Sequence, residues 1–257
     1  MSAHNSRILD QFTRQAVPFS QSPSVSNQKA LEFIVSSADA GPADTVLDVA
    51  CGPGLLACAF ARVVRHATGI DLTPAMLDQA RKLQQEQGLS NVSWQQGDVT
   101  KLPYPDGFFS IVSSRFVFHH LEQPLVVLKE MVRVCKAGGR IAVADIAPAP
   151  EKADALNAAE RLRDPSHVRA MPEEELRGLF AHAGLPEPKA GHYRVECELD
   201  DLLSRSFPNP GDEQKIRKLF SDSVAENSLD LNTRQEAGKI YYSFPVAVLV
   251  ATKASGK

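Results

Sequence analysis

The chain has 257 residues, 43% of them hydrophobic and 23% charged, with a formal net charge of −3. That balance offers no basic surface for a phosphate backbone, so nucleic acid is not expected as a partner. No apolar run reaches the roughly 18 residues of a membrane helix, and the polar start lacks the apolar core of a secretory signal, so a cytoplasmic protein with no membrane span is expected. The four cysteines, Cys51, Cys58, Cys135 and Cys197, have no C-x-x-C spacing. They read as reduced thiols, not as a disulfide frame or a zinc site.

Residues 5–16 place Ile8, Leu9, Phe12 and Ala16 on one side of a helix that Pro18 is expected to stop. Ser24 to Ser26 can cap a second helix to about Ala38, and Gly41-Pro42 breaks the chain. A buried strand follows at about 44–49, then the tight turn Cys51-Gly52-Pro53-Gly54 and a helix through Leu56, Phe60 and Val64. Ala67 to Asp71 is a second strand, and Thr73-Pro74 opens a helix that Gly88 ends. Val92 to Gln96 is a third strand, leading to Gly97-Asp98. Phe108 to Ser113 is a fourth, followed by a turn or short helix over Arg115 to Leu121. Pro124 to Lys136 is an amphipathic helix ended by Gly138-Gly139, and Arg140 to Ile146 is a fifth strand. Such alternation implies an α/β fold with a parallel sheet covered on both faces.

After Pro148-Ala149-Pro150 the texture changes. Residues 151–163 and 173–184 read as helices, 189–197 as a strand, 198–236 as a polar and mostly helical stretch, and 240–252 as an apolar strand. A single domain over 1–257 is expected, with a ligand-binding core at about 40–148 and cap elements at about 1–38, 151–172 and 198–236.

Gly52-Pro53-Gly54-Leu55-Leu56-Ala57 formally fits the G-x-G-x-x-G/A fingerprint of dinucleotide sites, with Asp71 placed to accept from a ribose. Two residues point elsewhere. Pro53 removes an N–H that a pyrophosphate would use, and Asp48 puts a carboxylate where a diphosphate would sit. A carboxylate there suits a cation. An NAD(P)-dependent oxidoreductase and a non-catalytic cofactor-binding protein remain the alternatives, although no tyrosine is followed four residues later by lysine, as short-chain dehydrogenases require.

Val46 to Gly54, Gly69-Ile70-Asp71, Gly97-Asp98-Val99, Phe108 to Val112, Phe118-His119-His120-Leu121 and Cys135 to Arg140 recur together. Over about 44–146 this set resembles the class I S-adenosylmethionine-dependent methyltransferases, in particular the ubiquinone/menaquinone-biosynthesis group. The resemblance implies a Rossmann-like seven-stranded sheet of order 3-2-1-4-5-7-6, strand 7 antiparallel, with a helical cap. It implies S-adenosylmethionine as cofactor and S-adenosylhomocysteine as product. Asp48, Gly52 and Gly54 would line its methionine end, and Ala50 stands where the family often has glycine. Asp71 would take the ribose hydroxyls, with Leu72 and Met76 packing beside them. Asp98 and Val99 would meet the adenine. Arg115 would lie near the methionine moiety. Apart from the resemblance, Arg14 and Phe19, between the N-terminal helices, are expected to close over the cofactor carboxylate and the substrate.

The implied chemistry is in-line methyl transfer to carbon, oxygen or nitrogen of a small quinone, phenolic or natural-product-like acceptor, in a monomer or homodimer. A base is needed only for a protonated nucleophile, and His119, His120 and His167 are the candidates. Arg161, Arg163, Arg169 and Arg194 are positioned in the cap or beside it to grip an acidic acceptor. The fourth strand is followed by Ser113-Ser114-Arg115-Phe116, not by the Asn/Asp-Pro-Pro-Tyr/Phe of amino-methylating nucleic-acid enzymes. No residue cluster is expected to bind metal.

Overall fold

The computed structural model describes residues 3–255. The chain runs α1 (Ala3–Ser20), α2 (Gln28–Ser37), β1 (Thr45–Val49), α3 (Leu55–Ala61), β2 (His66–Asp71), α4 (Pro74–Glu86), β3 (Val92–Gln96) and β4 (Phe109–Arg115). It continues through α5 (Pro124–Val134), β5 (Cys135–Ile146), α6 (Ala153–Arg163), α7 (Glu173–His182), β6 (Lys189–Glu198), α8 (Leu199–Ser204), α9 (Asp212–Glu226), β7 (Arg234–Glu236) and β8 (Lys239–Thr252). The strand order is β3-β2-β1-β4-β5-β8-β6, with β7 paired to β8 off this path. β1 pairs parallel with β2 and β4, while β8 runs antiparallel to both β5 and β6. The expected order therefore holds with β8 in the place of strand 7. The sheet has eight strands because Arg234–Glu236 folds back on Lys239–Tyr241, in a stretch expected to be helical.

Both faces of the sheet are covered. One carries Ile34, Phe60, Leu156, Phe220 and Tyr242, the other Leu47, Ile70, Val112, Leu128, Met131 and Phe180. That double burial explains why β1 after Thr45 is apolar apart from Asp48, which is 2% exposed. No helix among the described residues is long and apolar enough to cross a membrane.

Four local expectations are corrected. Pro18 lies inside α1, in its last turn; its missing N–H removes one i→i−4 bond there, and the helix ends two residues later at Ser20. Asn27, not Ser24 to Ser26, caps α2, its side chain accepting from the Ala30 amide. Gly138 and Gly139 sit within β5, not beyond a helix: α5 stops at Val134, and the chain turns extended at Cys135. Gly138 takes φ 73, and a Cβ on Gly139 would lie 2.9 Å from the Ser110 carbonyl, so the glycines serve an irregular start to the β4–β5 pairing. Arg115 ends β4 itself, not the turn after it.

Candidate active site

The carboxyl ends of β1, β2 and β4 open into a cleft of about 690 Å³, the position where parallel α/β sheets bind ligands. Asp48, Ala50, Gly52, Asp71, Leu72, Met76, Asp98, Val99 and Arg115 all line it. Gly54, the N-cap of α3 at φ 79, shapes the turn from beneath: a Cβ there would stand 2.5 Å from the Trp94 ring and 2.9 Å from Ala80 Cβ. Ala50 adopts φ 52, a left-handed conformation that costs an alanine and not a glycine.

The β1–β4 register sets Asp48 beside Ser113, whose hydroxyl donates to Asp48 Oδ1 at 3.3 Å. Asp48 Oδ2 is buried without a hydrogen-bond partner among the described residues. Burial pushes this carboxyl up to about 7, with only the Ser113 hydroxyl, the Ala57 amide and the Arg115 charge pulling the other way. Arg115 has a matching feature. Nη1 donates to the Val25 carbonyl at 2.9 Å, Nε to the Tyr193 hydroxyl at 3.4 Å, and Nη2 is buried without a partner among the described residues. Its guanidinium lies 4.4 Å from the Phe116 ring centre.

Asp71 is more fully engaged. It accepts from the Gly52 amide at 2.8 Å and from the Thr73 amide at 2.8 Å, so it ties the β1 turn to the start of α4. Burial nonetheless raises its pKa, and those amides only partly offset the effect. Asp98 accepts from the Thr100 amide and from the Asn5 side chain at 3.1 Å, which brings α1 over the cleft. Ile8 and Phe12 are half-buried because they face the cleft and not the core. Arg14 is placed away from it, paired with Asp10 at 3.3 Å and lying 4.4 Å from the centre of the Phe207 ring, because its side of α1 faces outward.

The histidines separate. His120 lines both the cleft and a smaller chamber of about 90 Å³ beside it, with Phe12, Phe19, Val25 and Phe116 shared between the two. His119 reaches only the chamber, and its Nδ1 lies 2.5 Å from Asp145 Oδ1. Burial would lower His119, but the Asp145 carboxylate outweighs it and raises the pKa. Burial and the neighbouring His119 push His120 down to about 4. His167 faces neither space. It is 5% exposed and bonds Asn157 Oδ1 at 2.7 Å, because the 164–168 loop turns inward against α6. Of Arg161, Arg163, Arg169 and Arg194 only Arg163 borders the chamber, and Glu160 already holds it at 2.7 Å. Arg161 donates to the Val168 carbonyl, Arg169 pairs with Glu175, and Arg194 bonds Ser243 and the Asp230 carbonyl.

Sequence reasoning missed Asp145, Ser166, Phe12 and Phe116. Asp145 carried a readable signal, a single acid in the apolar strand Ile141–Ile146. Ser166 and the phenylalanines carried none.

A family model described as a methyltransferase domain matches residues 47–143. The chain is 31% identical over 206 residues to the uncharacterized methyltransferase YcgJ of Bacillus subtilis, covering 79% of this chain and 81% of that one. The crystal structure of YcgJ superposes with a TM-score of 0.80 and 26% identity, over 89% of this chain and 99% of the other. A ubiquinone/menaquinone biosynthesis C-methyltransferase of Bdellovibrio bacteriovorus is 40% identical over 110 residues, 42% of this chain and 46% of its own length.

Proposed function

The chain belongs to the class I S-adenosylmethionine-dependent methyltransferases, and we propose that it methylates a small-molecule acceptor by in-line displacement with the cofactor seated in the 690 Å³ cleft. When bound, S-adenosylmethionine supplies an electrophilic methyl group, and S-adenosylhomocysteine is the product. The observation that carries the reading is a pair of orphan charges. Among the described residues, Asp48 Oδ2 and Arg115 Nη2 are both buried without partners, and both residues line one cleft. An amino-acid zwitterion answers both, its ammonium toward Asp48 and its carboxylate toward Arg115. A diphosphate could pair with Arg115 but is repelled by the ionised Asp48 and leaves that carboxylate unanswered, which counts against a nicotinamide cofactor.

Asp71 would take the ribose hydroxyls with the lone pairs its two amides leave free. Leu72 and Met76 would pack beside it, and Asp98 and Val99 would meet the adenine. The chain's own part in the chemistry is to hold the nucleophile about 3 Å from the methyl carbon and to exclude water. α1 supports this by laying Ile8, Phe12 and Phe19 along the cleft. The acceptor class we propose is quinone-like, phenolic or natural-product-like. The C-methyltransferase relative supports a carbon acceptor, while the chamber between the core and residues 160–206 supports a small one.

Calorimetry with S-adenosylhomocysteine, S-adenosylmethionine and NAD(P)H in parallel tests the reading. Binding of the first two alone is expected, with Asp71→Ala weakening it in a folded protein. Stabilisation by NAD(P)H alone would overturn it.

A further inference from the structure

Among the described residues, the chamber is lined by two acids, Glu160 and Asp164, and two arginines, Arg163 and Arg205. The acids are answered by donors of their own wall. Glu160 accepts from Arg163 Nε at 3.2 Å and 3.0 Å and from its Nη2 at 2.7 Å. Asp164 Oδ1 accepts from the Ser166 hydroxyl at 2.6 Å and amide at 2.8 Å, and Oδ2 from Gln15 at 3.3 Å. The arginines are not answered in the same way. Arg163 Nη1 meets only Asp164 Oδ2, at 3.8 Å, too far for a hydrogen bond. Arg205 donates through Nε to Asp201 Oδ2 at 3.1 Å, and its only other polar contact among the described residues is the Cys197 thiol, a weak acceptor. Its side chain is 9% exposed, so its Nη groups have little bulk water to turn to. Ile146, Val195, Leu202 and Phe244 make up much of the remaining wall and offer no polar side-chain atom.

We propose that the methyl acceptor carries a carboxylate, held in the chamber by the Nη groups of Arg205 with Arg163 Nη1 beside them. The chamber, about 90 Å³, is small against the roughly 300–1,000 Å³ of a whole ligand site, and suits one functional group. Phe12, Phe19 and Phe116 border both the chamber and the cleft, so they enclose the apolar body of the acceptor between the two. A guanidinium fork matches a carboxylate in shape and charge, and the apolar wall strengthens the pairing. With its acid end anchored there, the acceptor's other end lies in the cleft, in reach of the transferred methyl. An ammonium in the chamber would face two guanidiniums and find both acids taken. Arg205 thus sets specificity for an acidic acceptor, and Arg163 is the lesser partner because Glu160 holds the rest of its fork.

The inference rests on the methyltransferase reading, and its test separates the two. The probes are phenylacetate and phenylacetamide, which share a shape and differ in charge at neutral pH, titrated calorimetrically into the protein loaded with S-adenosylhomocysteine. Phenylacetate is expected to bind about tenfold more tightly than phenylacetamide. Arg205→Gln is expected to bind the two alike, and Arg205→Lys, which keeps the charge without the fork, to retain only part of the preference. Both variants are expected to bind S-adenosylhomocysteine as the unsubstituted protein does, a readout that a merely structural role for Arg205 would move. Arg161→Gln, which lies outside the chamber, is expected to keep the full preference. Equal affinity for the two probes in the unsubstituted protein, or binding of neither, overturns the proposal. So does a preference that survives undiminished in Arg205→Gln or Arg205→Lys. Failure of S-adenosylhomocysteine to bind the unsubstituted protein overturns the cofactor reading instead.

Discussion

The ends of β1 and β5 each carry a buried aspartate, and the surroundings treat the two in opposite ways. Asp145 accepts from the Val117 and Phe118 amides at Oδ2, and from the Ile146 amide and His119 at Oδ1. Despite burial, these donors hold its carboxyl below the usual range. Asp48 has one hydroxyl at 3.3 Å and a bare oxygen, and burial lifts it to about 7. A saturated carboxylate fastens the chain, here pinning the Val117–His120 turn to the end of β5. An under-satisfied one leaves an electrostatic deficit that a ligand can fill.

The largest expected effect follows from the saturated partner. Asp145→Ala strands three amides and a histidine in the core, and chemical denaturation is expected to show a loss of about 3–5 kcal/mol. Asp48→Ala, by the same measurement, is expected to cost less than about 1 kcal/mol, since little is bonded to it. Equal losses would break the comparison. The Asp145–His119 pair also has a defined pH window. Asp145 is depressed, so its contribution is present above the ordinary carboxylate range and lost on acidification through its folded value. His119 is raised, so its contribution is present below the ordinary imidazole range and lost as pH rises through its folded value. Acid and base unfolding profiles are expected to lose both edges in Asp145→Ala.

Next in size is ligand affinity. Asp48→Asn removes the charge while keeping the shape, and calorimetry is expected to show S-adenosylmethionine binding about 10- to 100-fold more weakly. Unchanged affinity in Asp48→Asn would remove the ammonium contact from the reading.

The pH dependence sharpens the same contrast by a smaller amount. The raised pKa of Asp48 means the free protein keeps this proton up to about pH 7. A cationic ligand needs the ionised form. Affinity is therefore expected to fall as pH drops below about 7, approaching tenfold per unit, and to level off above it. For the free protein the sign is opposite, with the contribution to stability greatest in acid and falling as pH rises through about 7. Asp48→Asn is expected to flatten both curves.

Most of the core was legible because its signals are local. Alternating apolar segments, turn glycines and acids at strand ends name β1 to β4, and the register then brings Asp48, Asp71 and Asp98 to one cleft. The cap was not legible, because its contacts depend on side-chain direction. Arg14 and Phe12 lie two residues apart on α1, yet one faces solvent and the other the cleft. The histidines divide for the same reason: His119 is drawn toward Asp145, and a cap loop folded inward carries His167 against α6. A three-residue strand such as β7 has no periodicity to read, since pairing with β8 alone defines it.

The smallest expected effect concerns the turn that presents Asp48 to the cleft. Ala50 holds φ 52, and its single methyl packs in part against the core. A left-handed alanine costs about 1–2 kcal/mol. Glycine removes that cost but brings about 0.5–1 kcal/mol of chain entropy in the unfolded state. Ala50→Gly is therefore expected to stabilise the protein by about 0.5 kcal/mol in chemical denaturation. Gly52, at φ 51 in the same turn, supplies the reverse experiment: alanine there meets only Met76 Sδ, at 4.0 Å, so any destabilisation measures backbone strain without a clash. If Ala50→Gly destabilises while Gly52→Ala is harmless, the turn is held by side-chain contacts and not by its left-handed backbone.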